Sequence, residues 1–410
     1  MPIIIRHSKP KYFAILVVFL AMLAGKFTLR RINPSLSNIG FWGKPAFWFT
    51  YLAVITILVN YLSEYSYRRK ITNKKFPDRF WLFIIVTILL HIYMTISVLW
   101  TPYWQESVRL IPELLLVVVI LLLLPGAFSS EYEKSIEFLF QLIFWSALIY
   151  ASAGLVNGIS AGRMSAFGGG PNVFVRVVSS GVFASLYLSI KQGSLRWLAV
   201  IPLFLVTALA SGSRGGILAL LITQIFVLLL IIPKYINISK MFLGSLVSLT
   251  ILIISYPLYI NNTFLSFFNR RYVELTFRER YFSYRNIFYE NALYLFLRKP
   301  LFGVGLDGYH QTFGDPFVYP HNIILHIMSE GGIFGLILLS FILLSVILQW
   351  FRIRSLEHDF LFALGLLYFI ASLFSGGLYD TRFIWFMWAL YMMTPLVDTN
   401  NKNDVKHIKM

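Results

Sequence analysis

The sequence predicts an all-α polytopic membrane protein of about twelve transmembrane helices. Of its 410 residues, 58% are apolar and only 13% charged, against about 25% charged in an ordinary soluble domain. The apolar residues gather into runs of roughly 20, the length that crosses a bilayer as a helix. The basic residues are spread unevenly between the connections on the two sides, as topology signals are.

The runs fall at 12–29, 45–63, 80–99, 107–127, 135–157, 172–190, 197–211, 215–233, 241–260, 331–350, 359–376 and 382–397. The first follows a basic start (Arg6, Lys9, Lys11), and a cut after Ala24 would put Met22, not a small residue, at the −3 position, so an uncleaved anchor is expected. The seventh and eighth are short and separated only by Gly212-Ser213-Arg214-Gly215, which predicts a tight helical hairpin or one long broken helix. The whole chain, 1–410, reads as one integral domain, with a long loop at 261–320 between spans nine and ten. From Thr263 to Lys299 that loop has no Gly and no Pro, so it is expected to be helical, and its aromatic and Arg residues suit helices lying in the membrane interface.

The net charge is +17. With the N-terminus in the cytoplasm, the inner segments hold 19 Lys and Arg and the outer side 16, of which 7 lie in the long loop. Long loops weigh little in orientation, so both termini are expected in the cytoplasm and the loop outside. The kinds of charge differ as well. Inside there are 12 Lys and 7 Arg; outside, 13 Arg and 3 Lys. Orientation needs only positive charge, whereas Arg offers a planar fork that matches phosphate and carboxylate. The outer side therefore reads as an anion-binding surface, and the excess charge does not point to nucleic acid. Cysteine is absent and histidine scarce, at seven, which leaves little for metal or thiol chemistry.

Four outer segments carry candidate chemistry. A glycine-rich stretch runs from Gly162-Arg163 to Pro171-Asn172 and is followed by Arg176; a phosphate could approach its backbone and the helix start behind it. Ser211-Gly212-Ser213-Arg214-Gly215-Gly216 sets an arginine in a helix break, where a charge at membrane depth persists if it faces a cavity or partner. The loop places Arg271, Arg278 and Arg285 seven residues apart, on one face if the helix is continuous. Tyr319-Pro320-His321-Asn322 leads through Glu330, Gly331 and Gly332 into the tenth span, and His321 should begin a helix with an imidazole able to exchange a proton near neutral pH. Elsewhere, Arg109 and Glu113 are spaced to pair across one helical turn, and His91 is expected as a buried hydrogen-bonding residue.

In order and in position relative to the spans, these motifs resemble the bacterial O-antigen ligase and polymerase family. The residues that carry the resemblance are the Arg163–Asn172 stretch, Ser213-Arg214-Gly215, Arg285 ahead of Pro300-Leu301-Phe302-Gly303-Val304-Gly305, and Pro320-His321-Asn322 with Glu330 and Gly332. The resemblance implies an all-helical fold similar to membrane glycosyltransferases of the C type. It implies transfer of a glycan from undecaprenyl diphosphate, on the outer face of the bacterial inner membrane, without metal or cofactor. The acceptor would be another lipid-linked glycan in a polymerase, which could work beside a chain-length regulator, or lipid A–core in a ligase. Membrane lipid is the remaining partner. His321 would assist deprotonation of the acceptor hydroxyl, and Arg214 and Arg285 would hold the diphosphate, joined by Arg163 or Arg176. Substrate contacts are further expected at Asn172, Arg278, Asn322 and Glu330. The compact outer loop, at about 60 residues, favours the polymerase. A lipid-linked oligosaccharide transporter would also bind an anionic lipid, but it should show two matching halves, and no internal repeat is visible.

Overall fold

The computed structural model describes residues 9–24, 43–67, 77–128, 131–160, 163–167, 170–235, 266, 269–278, 285–315, 318–353 and 355–395. In chain order its helices are α1 (Lys9–Leu23), α2 (Pro45–Tyr67), α3 (Asp78–Ile96), α4 (Trp104–Ser107), α5 (Ile111–Phe128), α6 (Tyr132–Asn157), α7 (Gly170–Gln192), α8 (Ile201–Ala210), α9 (Arg214–Phe226), α10 (Arg285–Arg298), α11 (Gly308–Phe313), α12 (Ile323–Trp350), α13 (Leu356–Ser372) and α14 (Arg382–Met393). A two-residue antiparallel pairing, Ile159–Ser160 with Arg163–Met164, closes the α6–α7 connection.

Among the described residues seven helical stretches are long and apolar enough to cross a membrane, which makes this an all-α polytopic membrane protein. The ninth predicted span, 241–260, lies outside the described residues; the other predicted spans each fall on a helix. Side chains such as Leu122, Ile149, Leu229 and Phe341 remain exposed, as lipid-facing residues do, while Trp385, Phe386 and Tyr391 of α14 are fully buried. Small residues let the central helices approach. A Cβ on Gly181 of α7 would lie 2.5 Å from Ala147 of α6, the close contact that membrane helices use in place of a hydrophobic drive.

The two ends of the bundle differ. At one end lysines are tied to acids: Lys191 to Glu133 (3.0 Å) and Glu357 (2.6 Å), Lys234 to Asp359 (2.8 Å). The other end gathers the α6–α7 connection, the α8–α9 break, α10 and the start of α12. The Arg109–Glu113 pair is not formed. Arg109 sits in a 3-10 turn, Val108–Leu110, so the α-helical spacing is broken ahead of α5. Arg109 instead lies 3.6 Å from Asp307, and Glu113 takes Lys44 and Arg382. His91 is buried as expected, with Nδ1 2.8 Å from the Thr87 carbonyl.

Helix α12 starts earlier than the predicted tenth span and is broken at Gly332, whose φ is 62°. The segment 300–305 fills the opened turn: Val304 N–H donates to Ser329 O, Gly305 N–H to Glu330 O (both 3.0 Å), and Ile333 N–H to Pro300 O (2.8 Å). A Cβ on Gly332 would stand 2.4 Å from Leu301 O, and one on Gly303 would stand 2.3 Å from Glu330 C. Two backbones touch here with no room for a side chain between them.

Candidate active site

The break between α8 and α9 is the hub of an arginine cluster. Arg163 Nε donates to Ser211 O and its Nη2 to Asn172 Oδ1, each at 3.3 Å. Ser213 Oγ donates to the same Asn172 Oδ1 at 2.7 Å, and Asn172 Nδ2 donates to Ser375 Oγ at 2.6 Å. Arg271 Nε donates to Gly212 O (2.9 Å) and Tyr272 Oη to Leu209 O (2.8 Å). Arg214 opens α9 behind the N-cap Ser213, whose hydroxyl is spent on Asn172 and does not cap the helix. The two glycines that follow let this start press inward: a Cβ on Gly215 would meet Phe374 at 2.3 Å and one on Gly216 would meet Val175 at 2.2 Å.

The electrostatics show crowding of one sign. Burial first, then the charges of Arg271, Arg214 and Arg285, push Arg163 down to about 10. Burial and then Arg271 lower Arg285 as well. Burial pushes the Tyr272 phenol up to about 12, against the pull of Arg271, Arg163 and Arg214. The strongest cationic neighbours of Arg163 are thus three other arginines. Such a group gains from an anion that pairs with several forks at once, and a helix N-terminus contributes further partial positive charge.

His321 joins this cluster through α10. Arg285 is the first residue of α10, and Phe288, one turn on, packs edge-to-face on His321 with ring centroids 5.1 Å apart. Tyr319 contacts the same imidazole at 4.6 Å. His321 does not begin the helix. It holds a left-handed φ of 57°, unusual for a residue with a Cβ, and Asn322 is the N-cap, its Oδ1 accepting from Ile324 N–H (2.9 Å) and Leu325 N–H (3.2 Å). The proline and the left-handed residue turn the imidazole out of the helix before it starts.

Glu330 is fully buried. Its carboxylate accepts from the backbone N–H of Asp307 (3.2 Å) and Tyr309 (3.3 Å) and from the Tyr379 hydroxyl, and it lies 3.1 Å from His326 Nε2. His326 Nδ1 accepts from Leu378 N–H at 3.0 Å. In that position Glu330 braces the loop before α11 and the α13–α14 connection. Burial pushes the neighbouring Asp307 carboxyl up from the ordinary carboxylate range, and the Glu330 charge adds to this.

Of the expected site residues, Arg163, Asn172, Arg214 and Arg285 share one neighbourhood, and His321 adjoins it. Arg176 does not: it is buried, its Nη2 donating to Ala371 O at 3.2 Å, in a separate cleft with Arg382. The side chain of Arg278 lies outside the described residues. Three members were not singled out from sequence. Arg271 belonged to the seven-residue series but to no motif, Ser213 stood in a motif only as the neighbour of Arg214, and Ser375 carries no signal apart from its contact with Asn172.

Residues 198–340, about a third of the chain, match the model of a family described as O-antigen ligase. Arg214, Arg271, Arg285, His321, Asn322 and Glu330 fall inside the match; Arg163, Asn172 and Arg176 precede it. No curated protein matches the chain.

Proposed function

We propose that this chain, with its match to the O-antigen ligase family, is a glycosyltransferase that moves an undecaprenyl-diphosphate-linked glycan onto the hydroxyl of a second lipid-linked repeat unit, on the outer face of a bacterial inner membrane. The family supports the reaction class. The observation that carries the reading is α10, which sets Arg285 of the arginine cluster one turn from the ring that packs on His321. One helix thereby bridges a candidate diphosphate site and a candidate base packed against it.

The chemistry follows from that arrangement. Arg163, Arg214, Arg271 and Arg285 bind the diphosphate and stabilise the negative charge that grows on it as it leaves. His321 accepts the proton of the acceptor hydroxyl as its oxygen attacks the anomeric carbon. One C–O bond forms, the C–O bond to the diphosphate breaks, and undecaprenyl diphosphate departs with its electron pair. A single displacement of this kind inverts the anomeric centre. Every step uses side chains alone, so no metal is required. Asn172 orders the cluster, Asn322 fixes the start of α12 beside the base, and Glu330 braces the loop. The Lys-tied end of the bundle faces the cytoplasm, with both termini. The compact outer loop supports a lipid-linked acceptor over the bulkier lipid A–core.

Reconstitution tests this. Purified protein in proteoliposomes with undecaprenyl-diphosphate repeat units should lengthen the glycan, with no requirement for added core. Transfer only when lipid A–core is supplied would make the chain a ligase. Movement of the lipid across the bilayer without transfer would overturn the enzyme reading.

A further inference from the structure

Beyond the arginine cluster the protein holds a second basic cleft, between α1, α7, α13 and α14. Arg176 of α7 and Arg382 of α14 line it together with Tyr368 and Tyr379. Both arginines are at least nine-tenths buried. Arg382 gives Nη2 to Glu113, but its Nη1 is buried without a hydrogen-bond partner among the described residues. Glu113 is itself shared with Lys44, so one carboxylate faces two cations, and no carboxylate is among the residues lining the cleft. A buried donor left unmade costs free energy, and two desolvated guanidinium forks invite an anion.

The rest of the cleft indicates what the anion is attached to. Apart from Thr381 its other walls are apolar, including Val173, Val177 and Phe383. It continues into a narrow crevice that shares Leu23, Val177, Tyr368 and Phe383 and then runs past Phe19, Ile143 and Met387. Phe19 lies one turn back along α1, and Met387 lies further into α14. Charge at one end and a narrow, mostly apolar crevice at the other, with Ser146 and Ser180 along it, suit an amphiphile with a phosphate head. The cleft also neighbours the first site. Asn172 and Arg176 are one turn apart on α7, and Tyr379 reaches from the cleft to Glu330.

We propose that this cleft seats the phosphate head and the first part of the tail of the acceptor lipid, so that α7 holds a donor diphosphate on its first turn and an acceptor phosphate on its second. This rests on the glycosyltransferase reading given above and names its second substrate site.

Photoaffinity labelling of the full chain in phosphatidylcholine nanodiscs tests the proposal. The probes are diazirine analogues of undecaprenyl diphosphate, lipid A, phosphatidylglycerol and undecaprenol, with peptide mapping. Undecaprenyl diphosphate should label peptides holding Phe19–Leu23, Val173–Val177 and Phe383–Met387. That labelling should fall about ten-fold in Arg176→Gln and in Arg382→Lys, which keeps the charge opposite Glu113 but lacks the second fork nitrogen. Labelling by lipid A in preference would assign the same cleft to a core-type acceptor. Labelling confined to peptides around Arg214, Arg271 and Arg285, or equal labelling by undecaprenol or phosphatidylglycerol, would overturn the proposal. Failure of the wild-type protein to transfer glycan, with cleft labelling intact, would count against the proposed function and leave the lipid site standing.

Discussion

Asn172 takes the guanidinium of Arg163 and the hydroxyl of Ser213 on one oxygen, at 3.3 and 2.7 Å. A single neutral acceptor thus ties the α6–α7 connection to the α8–α9 break, and its amide nitrogen reaches on to Ser375 at 2.6 Å. An amide suits this place because it orders arginines without cancelling their charge.

Asn172→Ala should therefore lower affinity for undecaprenyl diphosphate by about ten-fold, the worth of about 1.4 kcal/mol of lost ordering. Asn172→Asp separates the two roles of this position. An added carboxylate pairs with the arginines, so the thermal midpoint should rise while diphosphate affinity falls below that of the alanine variant. Lipid titration and thermal unfolding on the same preparations check both directions.

Arg271 tests whether the cluster needs forks or only charge. Its Nε is fixed to Gly212 O at 2.9 Å, and lysine would keep the charge without the planar donor set. Arg271→Lys should reduce diphosphate affinity about ten-fold, with the loss of one charge-assisted hydrogen bond. Wild-type binding in this variant would mean that Arg271 contributes only bulk positive potential.

His321 is held at a φ of 57°, a conformation that costs a residue with a Cβ about 1–2 kcal/mol. His321→Gly should relieve that strain. The expected result is a thermal midpoint equal to or above wild type together with loss of glycan transfer. Strain kept at a position where glycine would be more stable supports a functional role. Retained transfer in the glycine variant would remove His321 from the mechanism.

Gly332 and Gly314 have nearly the same positive φ, 62° and 66°, in different surroundings. A Cβ on Gly332 would meet Leu301 O at 2.4 Å, whereas one on Gly314 meets nothing within 4 Å. Gly314→Ala should cost about 1–3 kcal/mol, the penalty of a backbone region (φ 66°, ψ −171°) that is essentially glycine's own. Gly332→Ala should cost well beyond that, because it forces the 300–305 segment out of the broken turn of α12. Thermal unfolding of both variants separates conformational strain from backbone contact.

The membrane class and most of the helices were legible in the sequence because a bilayer demands long apolar runs and little else. Arg163, Arg214 and Arg285 could be named as candidates because charge in a glycine-rich turn, a helix break or an aromatic loop stands out against such a background. Contacts across the chain were not. Arg109 and Glu113 had the right spacing, but the 3-10 turn at Val108–Leu110 rotates them apart, and each finds a partner far away in sequence. For Glu330 a substrate contact and a packing contact at the helix end were equally open in sequence; it is enclosed by Asp307, Tyr309 and Tyr379. Arg163 and Arg176 were equivalent candidates in sequence. Only packing separates them, since Arg163 is part of an irregular connection that folds onto the α8–α9 break while Arg176, one turn along α7 from Asn172, lines the neighbouring cleft with Arg382.

The division of labour between the arginines and His321 is tested most directly by measuring binding of undecaprenyl diphosphate alongside glycan transfer in the same set of variants. Arg163→Gln, Arg214→Gln, Arg271→Gln and Arg285→Gln should each weaken binding by about ten-fold or more. His321→Ala should bind as wild type and fail to transfer. Undiminished binding in the arginine variants, or lost binding in His321→Ala, would contradict that division of labour.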